Sequence, residues 1–174
     1  MKLTPKQEKL FNAIVEPGEK EIYVQGSVQS GKTYVIALSI IKYAYDVHTY
    51  DPNTRYNGAI VGWDLDTLKG NIVDVLESFM KTEGKYKRGV QYELKFGGND
   101  KYFEFYNMRF YFFGFNTKLS FNKILGKPLL FVWIDESARI YSNSRFTTAH
   151  STNFLDVNYR LLGTHIKGQY IVST

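Results

Sequence analysis

The fold of this chain is decided by a stretch that reads Gly26-Ser27-Val28-Gln29-Ser30-Gly31-Lys32-Thr33. It fits the pattern G-x-x-x-x-G-K-[ST] at every fixed position. An apolar run from Glu21 to Gln25 precedes the stretch, and a helical pattern begins near Lys32. Strand, glycine-rich loop and helix in this order form the context in which the pattern predicts a phosphate-binding loop. The glycines allow main-chain N–H groups and a helix N-terminus to point at one anion.

The pattern assigns a role to each position of the loop. The residues expected to contact the phosphates of ATP are Gly26, Ser27, Val28, Gln29, Ser30, Gly31, Lys32 and Thr33. Lys32 is expected to reach the β- and γ-phosphates, and the Thr33 hydroxyl is expected to ligate Mg²⁺. The alternative is a plain strand-to-helix turn without a ligand.

Length and composition narrow the class of protein. A chain of 174 residues predicts one domain. The net charge of +5 is compatible with a polyanionic partner such as DNA. Cysteine is absent, which excludes disulfides and cysteine-based metal sites. No apolar run is long enough for a membrane span, so no membrane association is expected.

The first residues predict a short helix over 4–15. Thr4 is a candidate N-cap, Pro5 suits the first helical position, and Gln7 completes a Thr-x-x-Gln capping box. A second interpretation is that Gln7 recognises the edge of an adenine ring, because a glutamine lies just upstream of the phosphate loop in many helicase-like ATPases. The two roles do not exclude each other.

The rest of the chain predicts an α/β fold. A helix apolar on most faces follows the loop, then a buried strand at Gly58–Trp63 and a helix over roughly 65–81. Strand and helix in alternation indicate a mainly parallel sheet flanked by helices. Residues 91–115 alternate and are rich in aromatics, which predicts an antiparallel meander leading into that sheet.

Two surface features have alternative interpretations. The aromatics of the meander favour packing in the core, although they could form a stacking surface for nucleic-acid bases. Lys85, Lys87 and Arg88 form a basic cluster that is either a solvated surface or a set of contacts to backbone phosphates.

A second motif follows an apolar strand that begins at Leu129. The strand ends in Asp135 and Glu136. In enzymes with a phosphate-binding loop, an aspartate at this position holds the Mg²⁺ shell opposite the loop threonine. A following glutamate can deprotonate the attacking water. We therefore expect Asp135 to bind the metal with Thr33, and Glu136 and Lys32 to be catalytic.

These motifs together resemble the ATPase domain of a tailed-bacteriophage terminase large subunit. The resemblance rests on the loop, on Lys123-Ile124-Leu125-Gly126-Lys127, on Asp135-Glu136-Ser137-Ala138 and on the closing segment 168–174. It implies a P-loop NTPase of the additional-strand, catalytic-glutamate type. It implies that Ser173 and Thr174 couple γ-phosphate loss to movement of DNA.

The resemblance also implies partners and a location. A terminase ATPase translocates double-stranded DNA into a procapsid and works with a portal protein and a small terminase subunit. It would work as a homo-oligomeric ring, with a monomer possible in isolation, in the cytoplasm of the infected host cell at the procapsid portal.

The sequence departs from this family in two places. Many terminases have an arginine in the loop where this chain has Gln29, so we expect the arginine finger to come from Arg139 or Arg160. The chain also stops at Thr174 within an expected core strand. We expect 1–174 to be a single P-loop ATPase domain, truncated at its C-terminal end, with the nuclease domain of the family absent.

Three rival functions share the same loop. A helicase-like nucleic-acid-stimulated ATPase would need a second motor-like domain further along the chain. A small-molecule kinase is disfavoured by the consecutive Asp135-Glu136 and by the lack of an arginine-rich lid. A non-catalytic nucleotide-binding module is disfavoured because every expected catalytic residue type is present.

Overall fold

The computed structural model describes residues 3–16, 21–26, 30–83, 85–114, 128–137 and 169–173. The helices in these ranges are α1 (Pro5–Val15), α2 (Lys32–Tyr50), α3 (Leu65–Leu68) and α4 (Asp74–Glu83), with a π-helical segment at Lys69–Val73. The strands are β1 (Glu21–Val24), β2 (Tyr56–Gly62), β3 (Tyr92–Lys95), β4 (Tyr102–Phe105), β5 (Met108–Gly114), β6 (Phe131–Ile134) and β7 (Gln169–Ser173). No helix in the described part of the chain has the length and apolarity that a membrane crossing requires.

The strands form one mixed sheet in the order β1-β7-β6-β2-β5-β4-β3. β1, β7, β6, β2 and β5 pair in parallel, and β4 and β3 continue the sheet in antiparallel pairing. The predicted parallel sheet with an antiparallel meander is therefore confirmed. β7 lies between β1, which leads into the loop, and β6, which leads to Asp135. Their carboxyl ends share one edge of the sheet, where ligands bind in open α/β folds.

Helix α2 is the central helix of the core. It packs against α1 and α4, and its buried Ile36 and Ile40 join the hydrophobic cluster that contains Phe131 of β6. Burial on most faces of α2 was predicted and is confirmed. The helix continues to Tyr50, beyond the apolar run. Its second half carries the exposed Lys42–Asp46 ion pair, which an apolar pattern does not reveal.

The predicted helix over 65–81 is present but is not regular. Asp64 caps its start by accepting a hydrogen bond from the Thr67 N–H at 2.7 Å. The chain then passes through the π-helical segment before α4 begins. Gly70 lies in that segment, where its poor helix propensity disfavours a regular turn. Leu68, Ile72 and Leu76 all remain buried across the irregular turn.

The aromatic residues of the meander serve mainly as core. Phe103, Phe105 and Phe110 are fully buried, and the ring of Phe103 stacks with those of the other two. The packing interpretation is therefore confirmed for these three rings. In the basic cluster, the Arg88 guanidinium donates a hydrogen bond to the Leu94 oxygen at 2.9 Å. That bond gives Arg88 a structural role.

Candidate functional site

The Lys32 side chain links the two described ends of the candidate phosphate loop. The Lys32 ammonium group lies 2.7 Å from the Gly26 oxygen and 3.4 Å from the Ser30 hydroxyl. It therefore bridges the start and the end of the loop. A Cβ atom on Gly26 would lie 3.3 Å from both Lys32 Cδ and Ser30 Oγ, so a larger residue would crowd this arrangement. The positive charge is fixed where a phosphate would bind.

Gly31 sets the direction of the helix that leaves the loop. Its φ of +76° is left-handed, and it is the N-cap of α2 without a side-chain capping bond. The first N–H groups of a helix lack intrahelical partners and attract anions. A Cβ atom on Gly31 would come within 2.7 Å of the Gln7 side-chain nitrogen. Glycine is therefore required here for both conformation and space.

Gln7 contacts the loop as well as its own helix. Its amide nitrogen donates to the Ser30 oxygen at 3.3 Å, and its oxygen accepts from the Thr4 N–H at 3.0 Å. The predicted capping box is complete, since the Gln7 N–H also donates to the Thr4 hydroxyl at 3.4 Å. Contact with adenine stays a prediction. The bond to Ser30 shows that the helix positions the phosphate loop directly.

Asp135 is a buried carboxylate at the end of β6. Its N–H donates to the Val61 oxygen at 2.8 Å, which fixes the main chain against β2. Burial raises the pKa of the Asp135 carboxyl, and the charge of Glu136 acts in the same direction. A hydrogen bond from Ser173, one from the Glu136 main chain and the charge of Lys32 pull that pKa down in part. The direction of the Lys32 effect agrees with the sheet order, in which β7 joins the strand before the loop to the strand before Asp135.

Ser173 links the end of β7 to Asp135. Its hydroxyl donates a hydrogen bond to Asp135 Oδ1 at 2.7 Å. The indole N–H of Trp133 donates to the same hydroxyl oxygen at 3.0 Å. Ser173 also pairs in register with Val24, the last residue of β1 before the loop. The three strand ends are therefore connected at the candidate site.

Glu136 follows Asp135 in a strained conformation. Its φ is +52°, in the left-handed region, which is uncommon for a residue with a side chain. Such positions cost on the order of 1–3 kcal/mol and cluster at functional sites. The strain thus falls on the residue that the sequence predicts to be the catalytic base.

The residues present fit Mg²⁺ and the phosphates of a nucleotide. Mg²⁺ prefers hard oxygen ligands and takes one or two from protein, with substrate phosphates and waters completing its shell. The Asp135 carboxylate and the Thr33 hydroxyl are ligands of this kind. Within the described residues, no group of three or more acidic, histidine or cysteine side chains could hold a metal alone. A site shared with phosphate is consistent with that composition.

Several predicted residues lie outside the described part of the chain. These are Ser27, Val28, Gln29, Arg139, Arg160 and Thr174. The structure also includes three features that the sequence reasoning missed: the Gln7–Ser30 bond, the Trp133–Ser173–Asp135 chain and the left-handed Glu136. The first two join residues that are far apart in sequence, so local patterns could not predict them. The one relevant sequence feature was that Ser173 lies at the end of an expected strand.

The sheet order, the loop and the carboxylates define an α/β domain of the P-loop class. No family model matches the chain, and no curated protein matches it either. Solved structures do match over its whole length. The large terminase of a thermophilic bacteriophage matches with a TM-score of 0.72 and 19% identity, over 99% of this chain and 39% of that one.

Two further structures share the fold. The HK97 bacteriophage large terminase matches with a TM-score of 0.64 and 15% identity, over 100% of this chain and 33% of that one. The N-terminal domain of the DNA packaging ATPase from bacteriophage phi29 matches with a TM-score of 0.59 and 12% identity, over 99% of this chain and 78% of that one. At these identities the likeness shows the fold of phage packaging ATPases.

The thermophilic-phage terminase is longer than this chain, and it has been solved with bound nucleotides. This chain spans 39% of the thermophilic-phage terminase that it matches. That terminase has been solved in complex with ADP and in complex with ATP-gamma-S. Nucleotide binding is thus a property of a protein with the same fold.

Proposed function

We propose that this chain is the ATPase domain of a viral DNA-packaging terminase large subunit. The observation that carries the proposal is the meeting of two motifs at one sheet edge. β1 leads into the loop, β6 leads to Asp135 and Glu136, and β7 pairs in parallel with both strands. Lys32 links Gly26 and Ser30 within the loop. The additional strand β7 between β1 and β6, together with Glu136, supports the additional-strand, catalytic-glutamate type. The fold shared with packaging ATPases supports the biological role.

The residues of the site divide the work of hydrolysis. The loop main chain and the N-terminus of α2 bind the phosphates, and Lys32 neutralises their charge. Glu136 takes a proton from a water whose oxygen attacks the γ-phosphorus. The bond from that phosphorus to the β–γ bridging oxygen breaks, which yields ADP and phosphate. Thr33 and Asp135 would hold Mg²⁺, which neutralises charge on the phosphate oxygens.

The loop supplies one cation fewer than is common in terminases because Gln29 replaces an arginine. An arginine finger contributes about 10³–10⁵ in rate. We propose that Arg139 or Arg160 supplies it, the latter on a neighbouring subunit of a ring. Arg→Ala at the correct position should abolish assembly-stimulated turnover and leave nucleotide affinity nearly unchanged. Unaltered stimulated turnover would exclude that arginine.

The partners proposed for the domain follow from the packaging role. They are double-stranded DNA, the portal protein and the small terminase subunit, in the cytoplasm of the infected cell at the procapsid portal. Ser173 and Thr174 would sense the γ-phosphate and pass its loss to the DNA-gripping surface. The bond between Ser173 and Asp135 supports this coupling, since it links β7 to the proposed metal ligand.

The test is phosphate release from Mg·ATP with no added acceptor, measured for the wild type and for Lys32→Ala. Release by the wild type and its loss in Lys32→Ala support the ATPase. A matched control is Lys42→Ala, on the exposed side of the same helix, which should release phosphate normally. Transfer of phosphate only to an added small molecule would instead indicate a kinase. Stimulation by single-stranded nucleic acid with strand separation would indicate a helicase-like enzyme.

A further inference from the structure

A buried chain of hydrogen bonds runs from β6 to β7 and back. The Trp133 indole N–H donates to Ser173 Oγ at 3.0 Å, and the Ser173 hydroxyl donates to Asp135 Oδ1 at 2.7 Å. Trp133 is fully buried and Ser173 is 1% exposed. Bulk water therefore has little access to either group, and each depends on its protein partners.

Trp133 determines the direction of donation along these hydrogen bonds. An indole N–H can only donate, whereas a serine hydroxyl donates one proton and accepts through its lone pairs. Because Ser173 accepts from Trp133, its single proton is directed to an acceptor. Two acceptors are near it, Asp135 Oδ1 at 2.7 Å and the Ile134 oxygen at 3.4 Å. The shorter bond to a charged oxygen is the stronger one.

We propose that Trp133 is a positioning residue for Asp135 and acts on it through Ser173. The inference rests on the proposed ATPase function, because it concerns the orientation of the carboxylate assigned to Mg²⁺. The indole holds the hydroxyl, and the hydroxyl holds Asp135 Oδ1, so the rotation of the carboxylate is restricted. Trp133 does not touch the nucleotide in this account.

Packing alone would make a different prediction for Trp133. A large apolar ring would fill the same space in the hydrophobic cluster, and it would need no partner on β7. The indole N–H would then be irrelevant to turnover. The two accounts differ in whether the effect of removing the N–H depends on the Ser173 hydroxyl, and a double-mutant cycle measures that dependence.

The test compares wild type, Trp133→Phe, Ser173→Ala and the double variant in the full protein. The kcat for ATP hydrolysis and the half-saturating Mg²⁺ concentration are measured for each. Trp133→Phe keeps an aromatic ring and loses the donor N–H together with part of the ring volume. We expect kcat to fall about tenfold with ATP affinity changed by less than about twofold. In the Ser173→Ala background, Trp133→Phe should cause almost no further loss.

A control separates positioning from core damage. Phe131→Leu removes volume from the same face of β6 at a fully buried residue without a polar side-chain atom. It should lower thermal stability and leave kcat near the wild-type value. Ser173→Thr keeps a hydroxyl and should keep the sensitivity to Trp133→Phe.

Failure of the positioning role of Trp133 and failure of the proposed ATPase function give different results in these measurements. Equal losses of kcat for Trp133→Phe in the wild-type and Ser173→Ala backgrounds would overturn the positioning role and leave the ATPase intact. An unchanged kcat in Trp133→Phe would overturn it as well. A wild-type protein that releases no phosphate would overturn the proposed function, and this inference with it, before any variant is compared.

Discussion

The side chain of Gln7 donates a hydrogen bond to the main-chain oxygen of Ser30 across 3.3 Å, which ties the first helix to the phosphate loop. The contact spans 23 positions of sequence. The same side chain accepts from the Thr4 N–H at 3.0 Å. One amide group therefore caps α1 and positions the loop, so nucleotide binding and the stability of the N-terminal helix should be linked.

A comparison of Gln7→Ala with Thr4→Ala tests this link. Both variants break the capping box, and each should lower the free energy of unfolding by about 1 kcal/mol. Only Gln7→Ala also removes the bond to Ser30, so only that variant should weaken the binding of ATP measured by calorimetry. An equal loss of affinity in both variants would show that the helix acts through its stability alone.

At Gly58, near the centre of the sheet, the neighbouring strands leave no room for a side chain. A Cβ atom there would lie 2.7 Å from Phe110 Cδ1 and 3.2 Å from the Phe131 oxygen, so the strands β5 and β6 would have to shift. Gly58→Ala should lower the free energy of unfolding by about 1–3 kcal/mol in denaturant titrations.

Gly97→Ala is the matched control, because a Cβ atom at Gly97 meets nothing within 4 Å. Its free energy of unfolding should stay close to that of the wild type. A Gly58→Ala protein as stable as Gly97→Ala would contradict the close packing of β2 between its neighbours.

We expect the buried carboxylate of Asp135 to lower the free energy of unfolding while it serves hydrolysis. Burial raises the pKa of its carboxyl in the folded state above the unfolded-state value. The folded protein then binds the proton more tightly, and the free energy of unfolding falls as pH rises between the two values. Asp135→Asn should remove that slope and raise the stability of the nucleotide-free protein at neutral pH by about 1 kcal/mol, with hydrolysis lost.

Denaturant titrations at a series of pH values check this expectation. Asp46→Asn, at an exposed residue of α2, is the control and should change stability little. A nucleotide-free Asp135→Asn protein that is less stable than the wild type at neutral pH would contradict a destabilising effect of burying the carboxylate.

A second gain in stability is expected when glycine replaces the left-handed Glu136. Its φ of +52° disfavours any residue with a Cβ atom, and glycine adopts that conformation readily. Glu136→Gly should therefore unfold at a higher denaturant concentration than Glu136→Gln, by about 1 kcal/mol in free energy. Equal stability of the two variants would contradict strain at this residue.

The sequence predicted the elements that local patterns determine. The glycine-rich loop, the apolar α2 and the strand before Asp135 each have a pattern that spans only a few residues. The structure has α2, the strand and both described ends of the loop. The capping box at Thr4 and Gln7 was predicted for the same reason, because its partners are three positions apart.

The sequence could not predict contacts that depend on strand order. Nothing local shows that β7 inserts between β1 and β6, and that insertion brings Ser173 against Asp135 and Trp133. Trp133 looked like one more apolar residue of a buried strand. The π-helical segment was also hidden, because the apolar spacing of Leu68, Ile72 and Leu76 suits a regular helix.

Phosphate release by Glu136→Gln, measured with ATP binding on the same sample, is the decisive test of Glu136 as the catalytic base. We expect the variant to bind Mg·ATP about as tightly as the wild type and to release phosphate about 10²–10⁴ times more slowly, because it lacks the general base. A variant that binds ATP and releases phosphate at the wild-type rate would contradict the assignment of Glu136 as the base.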